Sequence, residues 1–129
     1  MIDSSAMISA LASEADGAGF RRAIKEAEAA RMSAFNVFEC HVVLSRRFGP
    51  AMLAEFELLL KEAEIAVDPF DADQARLAFE AYRRYGKGGG QGAALNLGDC
   101  AAYALARSRG LPLLYKGDDF AKTDLPSAL

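Results

Sequence analysis

Acidic residues stand in four segments where chemistry is possible. Asp3 follows Met1-Ile2, Glu39 lies in FNVFECHVVLSRRFG, Asp99 in NLGDCAAYALA, and Asp118-Asp119 in LPLLYKGDDFAKTDL. Carboxylates brought together repel, so such a cluster either holds protons or is neutralised by a cation. An all-oxygen ligand set suits Mg2+ or Mn2+ rather than a soft metal. An ion held by carboxylates activates water and stabilises charge on a phosphate. Each acid also has a plain structural use. Asp3 can cap a helix starting at Ser4 or Ser5. Asp99, three residues after the N-cap candidate Asn96, can be a first-turn acid favoured by the helix dipole. Glu39 can be a solvated helical residue, and Asp118-Asp119 a turn. Taken separately, these uses do not explain why all four segments should meet. The lone histidine, His41, falls in a hydrophobic period and reads as a packed helix residue rather than a base.

Helices dominate the elements that must position these acids. Residues 16–30 place Phe20, Ala23, Ile24 and Ala27 at helical spacing. Residues 36–48 place Val37, His41, Leu44 and Phe48, before Gly49-Pro50 stops the helix. Leu53, Phe56 and Leu60 mark another. Asp71 and Gln74, at capping-box spacing, open a helix with Ala75, Ala78, Phe79 and Tyr82 along one face. A last helix runs from about 97 to Gly110, a C-cap signal. Short strand candidates alternate with them: Met1–Asp3, Met32–Ala34, Glu64–Val67, Leu113–Tyr115, and one after Thr123. The pattern predicts an α/β domain spanning 1–129, with a short central parallel sheet covered by helices on both faces. Sites in such sheets form outside the carboxyl ends of the strands. Asp3, Glu39, Asp99 and Asp118-Asp119 all fall at such ends or in nearby first turns. The KGGGQG stretch, 87–92, reads as a surface loop; it lacks the Lys-Ser/Thr of a phosphate-binding P-loop.

The chain has 129 residues, is 52% hydrophobic and carries a net charge of −3. No apolar run approaches the roughly 20 residues of a membrane span. The N-terminus has no basic leader, so a soluble cytoplasmic protein is expected. Cys40 and Cys100 read as small buried side chains rather than metal ligands or a disulfide. The acidic balance argues against gripping nucleic acid by bulk charge. Local phosphate contacts are available from Arg46-Arg47, from Arg83-Arg84-Tyr85-Gly86-Lys87 and from Lys116; Arg46, Arg84, Lys87 and Lys116 are the candidates, with solvated helix ends as the alternative.

IDSSAMISAL, FNVFECHVVLSRRFG, YRRYGKGGGQGAALNLGDCAAYALA and LPLLYKGDDFAKTDL occur in an order, and over nearly the whole chain, that resembles PIN-domain ribonucleases of the VapC toxin type. Only Met1 and Ile2 precede Asp3, so the first strand is minimal. The resemblance implies that Asp3 and Asp99 are the principal metal ligands and that Glu39 is the helix-borne acid. Asp119 matches the fourth acid better than Asp118. Ser5 matches a polar residue supporting the first acid, and Asn96 one that caps the helix and orients the site. It further implies Mg2+-dependent (or Mn2+-dependent) hydrolysis of RNA, with tRNA or rRNA as substrate. A VapB-type antitoxin and a homodimer are implied as partners. The apolar excess in residues 36–62 leaves room for an amphipathic antitoxin helix, or for burial within the domain or a homodimer. Two rivals remain: a PIN-fold binding protein without catalysis, and a receiver-like phosphoacceptor using Asp3, Asp68 and Lys116. The second lacks the paired acids expected after a receiver's first strand.

Overall fold

Capping chemistry sets the helix starts in the computed structural model, which describes residues 1–88 and 92–129. Residues 89–91 of the KGGGQG stretch lie outside the described residues. The first amides of a helix lack intrahelical partners. Here Asp3 opens α1 (Ser4–Leu11) by accepting from Ser5 N–H at 3.0 Å. After α2 (Gly17–Glu26) and strand β1 (Arg31–Ser33), Ser33 opens α3 (Ala34–Arg47) by accepting from Phe35 N–H. Pro50, whose missing N–H costs nothing in a first turn, begins α4 (Pro50–Glu62). Strand β2 (Ala66–Asp68) leads to α5 (Ala72–Tyr85), capped by Asp71. Asn96 caps α6 (Leu97–Arg109), which ends at Gly110 with φ 64°. A short 3-10 turn, Phe120–Lys122, follows.

β1 and β2 pair in parallel, Arg31 with Ala66, Met32 with Val67 and Ser33 with Asp68. Backbone bonds carry the parallel arrangement across the molecule. Ile2 N–H donates to Arg31 O at 2.9 Å, Leu114 N–H to Met1 O at 2.8 Å, and Leu113 N–H to Pro126 O at 3.0 Å. The expected segments at Met1–Asp3, at Leu113–Tyr115 and after Thr123 therefore join through single bridges, Ile2 with Leu114 and Leu113 with Ser127. The expected strand at Met32–Ala34 moves to Arg31–Ser33, because Ala34 is already helical. The strand expected from Glu64 starts at Ala66, since Glu64 turns the chain with φ 51°.

Successive strand residues point to opposite faces, and this divides the core into two. Met1 and Leu113 pack with Ala81, Tyr85 and Leu105 of α5 and α6. Ile2, Met32 and Leu114 pack with Met7, Ile24, Leu44 and Phe56 of α1 to α4. Helices thus cover both faces, as expected. Cys40 and Cys100 are buried free thiols, one in each half.

Two helices turn a different face inward than their apolar periods predict. In α5, Ala78, Ala81 and Tyr85 are buried, while Phe79 and Tyr82 are 59% and 43% exposed. Small residues let α5 lie close on the alanine-rich α6. The displaced aromatics instead line a groove with Phe35, Phe70 and Leu97. In α3 the buried stripe is Asn36, Cys40 and Leu44. Phe48 is exposed, and His41 is half-buried, bonded to Glu57 at 2.6 Å and edge-on to Phe56. Helix α2 stops at Glu26 because Ala27 is extended. Only half of the Asp71–Gln74 capping box forms, since the Gln74 side chain goes to Ser108 Oγ at 2.9 Å. Among the described residues, no helix is long and apolar enough to cross a membrane.

Phe56 has no exposed surface, whereas Phe38 is 65% exposed. Phe56→Ala is expected to cost about 3–5 kcal/mol, and Phe38→Ala within about 0.5 kcal/mol of nothing. Urea unfolding of both variants checks the difference; equal losses would mean the core is misplaced.

Candidate active site

Asp3 is where strand becomes helix. Its backbone N–H pairs with Leu114 O, and its side chain, 1% exposed, caps α1. One carboxylate oxygen, Oδ2, accepts from Ser5 N–H at 3.0 Å and from Ser5 Oγ–H at 2.5 Å. Ser5 Oγ in turn accepts the backbone N–H of Lys116 at 3.0 Å. This chain of bonds links the first acid to the segment leading to Asp118 and Asp119. The other oxygen of Asp3, Oδ1, is buried with no protein partner. A buried carboxylate oxygen left this way is costly and is what a cation ligand needs.

Asp99 is held from both sides. Asn96 Oδ1 accepts the Asp99 N–H at 2.8 Å, and Asp99 Oδ2 accepts the Asn96 N–H at 2.9 Å, completing a capping box. One residue earlier, Gly98 leaves room for Glu39. A Cβ there would lie 2.6 Å from the Glu39 carboxyl carbon, so the carboxylate of α3 rests against the α6 backbone. Beneath it, the fully buried Asn36 amide donates to Gly98 O at 2.9 Å and to Ser4 Oγ at 3.1 Å. Ser4 Oγ–H donates back to Asn36 O at 3.3 Å. The first turns of α1, α3 and α6 therefore meet at one point.

The acids feel one another. Burial, then the charge on Asp99 and further that on Glu39, push the Asp3 carboxyl up to about 7, against the pull of the Ser5 bonds. Burial pushes Asp99 up to about 6, with the charges on Glu39 and Asp119 adding to it and the Asn96 N–H opposing. Asp119 stands at the start of the 3-10 turn. Its neighbour Asp118 is exposed. The positive ends of three helix dipoles point toward this group and favour negative charge there. Among the described residues no three His, Cys, Asp or Glu side chains stand where they could together hold a metal ion, so any ion here would rest on fewer protein ligands. The donors are all oxygen, which fits a hard divalent cation with water filling the remaining positions.

A PIN domain family model matches residues 1–125. The chain belongs to the PIN-domain family. Its relatives carry the name of one branch. It is 43% identical to ribonuclease VapC28 of Mycobacterium tuberculosis over 129 residues, covering 100% of this chain and 97% of that one. It is 41% identical to ribonuclease VapC42 of the same organism, covering 99% and 98%. It is 42% identical to ribonuclease VapC of Mycolicibacterium smegmatis, covering 97% and 96%. The solved structure of M. tuberculosis VapC20, titled as a sarcin–ricin loop cleaving toxin, shares the fold. Its TM-score is 0.79 over 96% of this chain and 94% of that one, at 17% identity. This PIN domain is accordingly an endoribonuclease toxin of VapC type, with RNA as substrate. Ribonucleases of this kind are metal-dependent.

The other residues singled out in the sequence lie around the PIN-domain site unevenly. Lys116 has its ammonium on Glu14 and, at 3.2 Å, on Asp16, so its charge is already matched within the α1–α2 turn. Arg84 lies over the Tyr85 ring, 4.9 Å from its centroid. Arg46 sits in the last turn of α3, roughly 10 Å along the axis from Glu39 at 1.5 Å per residue. Lys87 is exposed just beyond α5. The receiver-like alternative fails on more than family. Asp68 is tied to Arg31 at 2.8 Å and Arg109 at 3.3 Å, not to the acid group. Asn36 was not evident as a site residue. Its signal was its spacing, a polar residue in line with Cys40 and Leu44 at i+4 and i+8.

The raised Asp3 value, about 7 against roughly 3.9 for an unfolded Asp, gives the metal-free protein a pH dependence. Between those values the native state holds a proton that the unfolded state has lost. The contribution is full below the unfolded value and is lost as pH rises through the folded one. The melting temperature without metal is therefore expected to fall from pH 5 to pH 8, and Asp3→Asn to remove most of that slope. Parallel slopes for the two proteins in calorimetry would show that Asp3 is not the buried proton carrier.

Proposed function

We propose that the chain is a Mg2+-dependent endoribonuclease, active also with Mn2+, in which Asp3 and Asp99 hold the ion. Glu39 and Asp119 complete its surroundings, and Asp119 rather than Asp118 is the fourth acid. The observation that carries this reading is the buried, unpartnered Oδ1 of Asp3 beside the capping-box acid Asp99. When bound, the ion activates water and stabilises charge developing on the phosphate. The chain's own residues do the positioning. Ser5 holds one Asp3 oxygen so that the other is aimed away from it, and Asn96 fixes the Asp99 rotamer. Residues 1–129 act as one domain in the cytoplasm.

The substrate in this reading is tRNA or rRNA. Arg46, Arg84 and Lys87 position its phosphates, while Lys116 contributes only by leaving Glu14 and Asp16. Phosphate contacts of this kind fix register without reading sequence. The antitoxin covers the apolar surface of Phe35, Phe38, Val42, Val43 and Leu97, which also includes Glu39. Binding there closes access to the acids. The neighbouring groove between Phe79, Tyr82 and Phe70 serves the homodimer.

Cleavage of total RNA is expected to require Mg2+ or Mn2+ and to stop with EDTA. Asp99→Asn keeps the shape of the capping box but loses the charge. It should fall at least about 100-fold in rate, at or beyond the roughly 10–100-fold lost when groups that merely orient metal ligands are removed, with its melting temperature near wild type. Millimolar Mn2+ should raise the melting temperature of wild type at pH 8 but not that of the Asp3→Asn, Asp99→Asn pair. Wild-type cleavage by Asp99→Asn would overturn the site assignment.

Expression of the chain alone is expected to arrest growth. Co-expression with the adjacent small open reading frame, or Asp3→Asn, should restore growth. Equal growth in all three cultures, with the protein present and soluble, would remove the toxin reading and leave only the fold.

A further inference from the structure

We propose that Asn36 is a positioning residue that fixes the mutual placement of the Asp3, Glu39 and Asp99 carboxylates by bonding the first turns of α1 and α6 through one buried amide. This rests on the carboxylate-site reading above. The three acids are carried by three helices, and their charges drive those helices apart. Asn36 sits where that force must be resisted. It has no exposed surface. Its Nδ2 donates to Ser4 Oγ at 3.1 Å and to Gly98 O at 2.9 Å. Ser4 follows Asp3, Gly98 precedes Asp99, and Glu39 lies three residues along α3 from Asn36 itself, on a neighbouring turn position. Among the described residues no other side chain hydrogen-bonds to the flanks of both proposed ligands.

The chemistry explains why the residue is an amide. A fully buried amide costs free energy unless its polar atoms are bonded, and a leucine would fill the same space. Only a donor with two N–H groups bridges a hydroxyl on one helix and a carbonyl on another. The amide orientation is fixed, because the flipped group would set Oδ1 against Gly98 O. Its cost is visible: Oδ1 is buried without a protein partner. A buried unsatisfied atom calls for an explanation, and the bridge made by Nδ2 supplies one. The bond also sets how closely α3 approaches α6. The Glu39 carboxylate rests directly on Gly98, where a Cβ would lie 2.3 Å from Oε1. That seat exists only at the spacing the Asn36–Gly98 bond holds.

The test compares Asn36→Leu, Ser4→Ala and Asp99→Asn with wild type. Each is assayed for folding by thermal melting, for Mn2+ affinity by titration calorimetry, and for kcat and KM on an RNA oligonucleotide carrying the mapped cut site. Asn36→Leu is expected to fold, to lose about 10–100-fold in kcat, and to bind Mn2+ about tenfold more weakly, as when groups that orient metal ligands are removed. KM for the RNA stays near wild type, because Asn36 does not touch substrate. Ser4→Ala, which removes one partner of the amide, should lose about fivefold in kcat, the equivalent of one neutral hydrogen bond. A folded Asn36→Leu with wild-type kcat and Mn2+ affinity, changed only in melting temperature, overturns the proposal. If Asn36→Leu does not fold, Ser4→Ala decides by the same readouts. An inactive Asp99→Asn beside a fully active Asn36→Leu refutes this inference alone; an active Asp99→Asn refutes the carboxylate site itself.

Discussion

Like charges gathered under low solvent access are the constraint on which the rest of this molecule depends. A carboxylate with almost no exposed surface at Asp3, with Asp99 and Glu39 in range, is unfavourable by itself. The fold answers it with geometry rather than with countercharged side chains. Three helices begin at the same place, so backbone amides and the positive ends of their dipoles surround the acids. Two of those acids double as helix caps, Asp3 on α1 and Asp99 in the box with Asn96. The carboxylates proposed above to hold the ion are therefore also the groups that start the helices. Arginine and lysine are kept off the group: Lys116 is matched to Glu14 and Asp16, and Arg31 and Arg109 to Asp68. The negative potential is left for a cation to meet.

The sheet that organises this arrangement is slight. Among the described residues only β1 and β2 pair over three residues each, and the remaining segments join by single bridges. Its value lies in alternation. Met1 and Leu113 look to one half of the core, Ile2 and Leu114 to the other, and the chain turns from strand to helix at Asp3. Most of the rigidity around the acids comes from helix on helix. The alanines of α6 and the small inward face of α5 let those two approach closely, and Gly98 does the same for α3.

How much of this was legible in the sequence depended on the kind of information each residue carries. That the acid-bearing segments would meet could be read, because carboxylates at expected strand ends and first turns have few competing uses in common. The alternating helices and strands could be read, since apolar periods record burial. The inward face of α5 could not. Counting Phe79 and Tyr82 as core residues assumes that larger apolar side chains lie deeper. Here close helix packing selected Ala78 and Ala81, and left the rings outside. Asn36 was hidden for the converse reason, being a polar residue in an inward stripe, where a reading by hydropathy assigns solvent. The pairing of Lys116 with Glu14 and Asp16 joins residues about a hundred positions apart, which no local pattern encodes.

Lys116 carries two attachments of different kinds. Its side chain reaches the α1–α2 turn, while its main-chain N–H supports Ser5 and through it Asp3. The second attachment is made by an atom common to every residue except proline. Substitution at this position by any residue but proline can therefore change the charge beside the acid group without removing the hydrogen bond that supports Ser5 and, through it, Asp3. At such a position the surface charge and the seating of the acid are inherited independently.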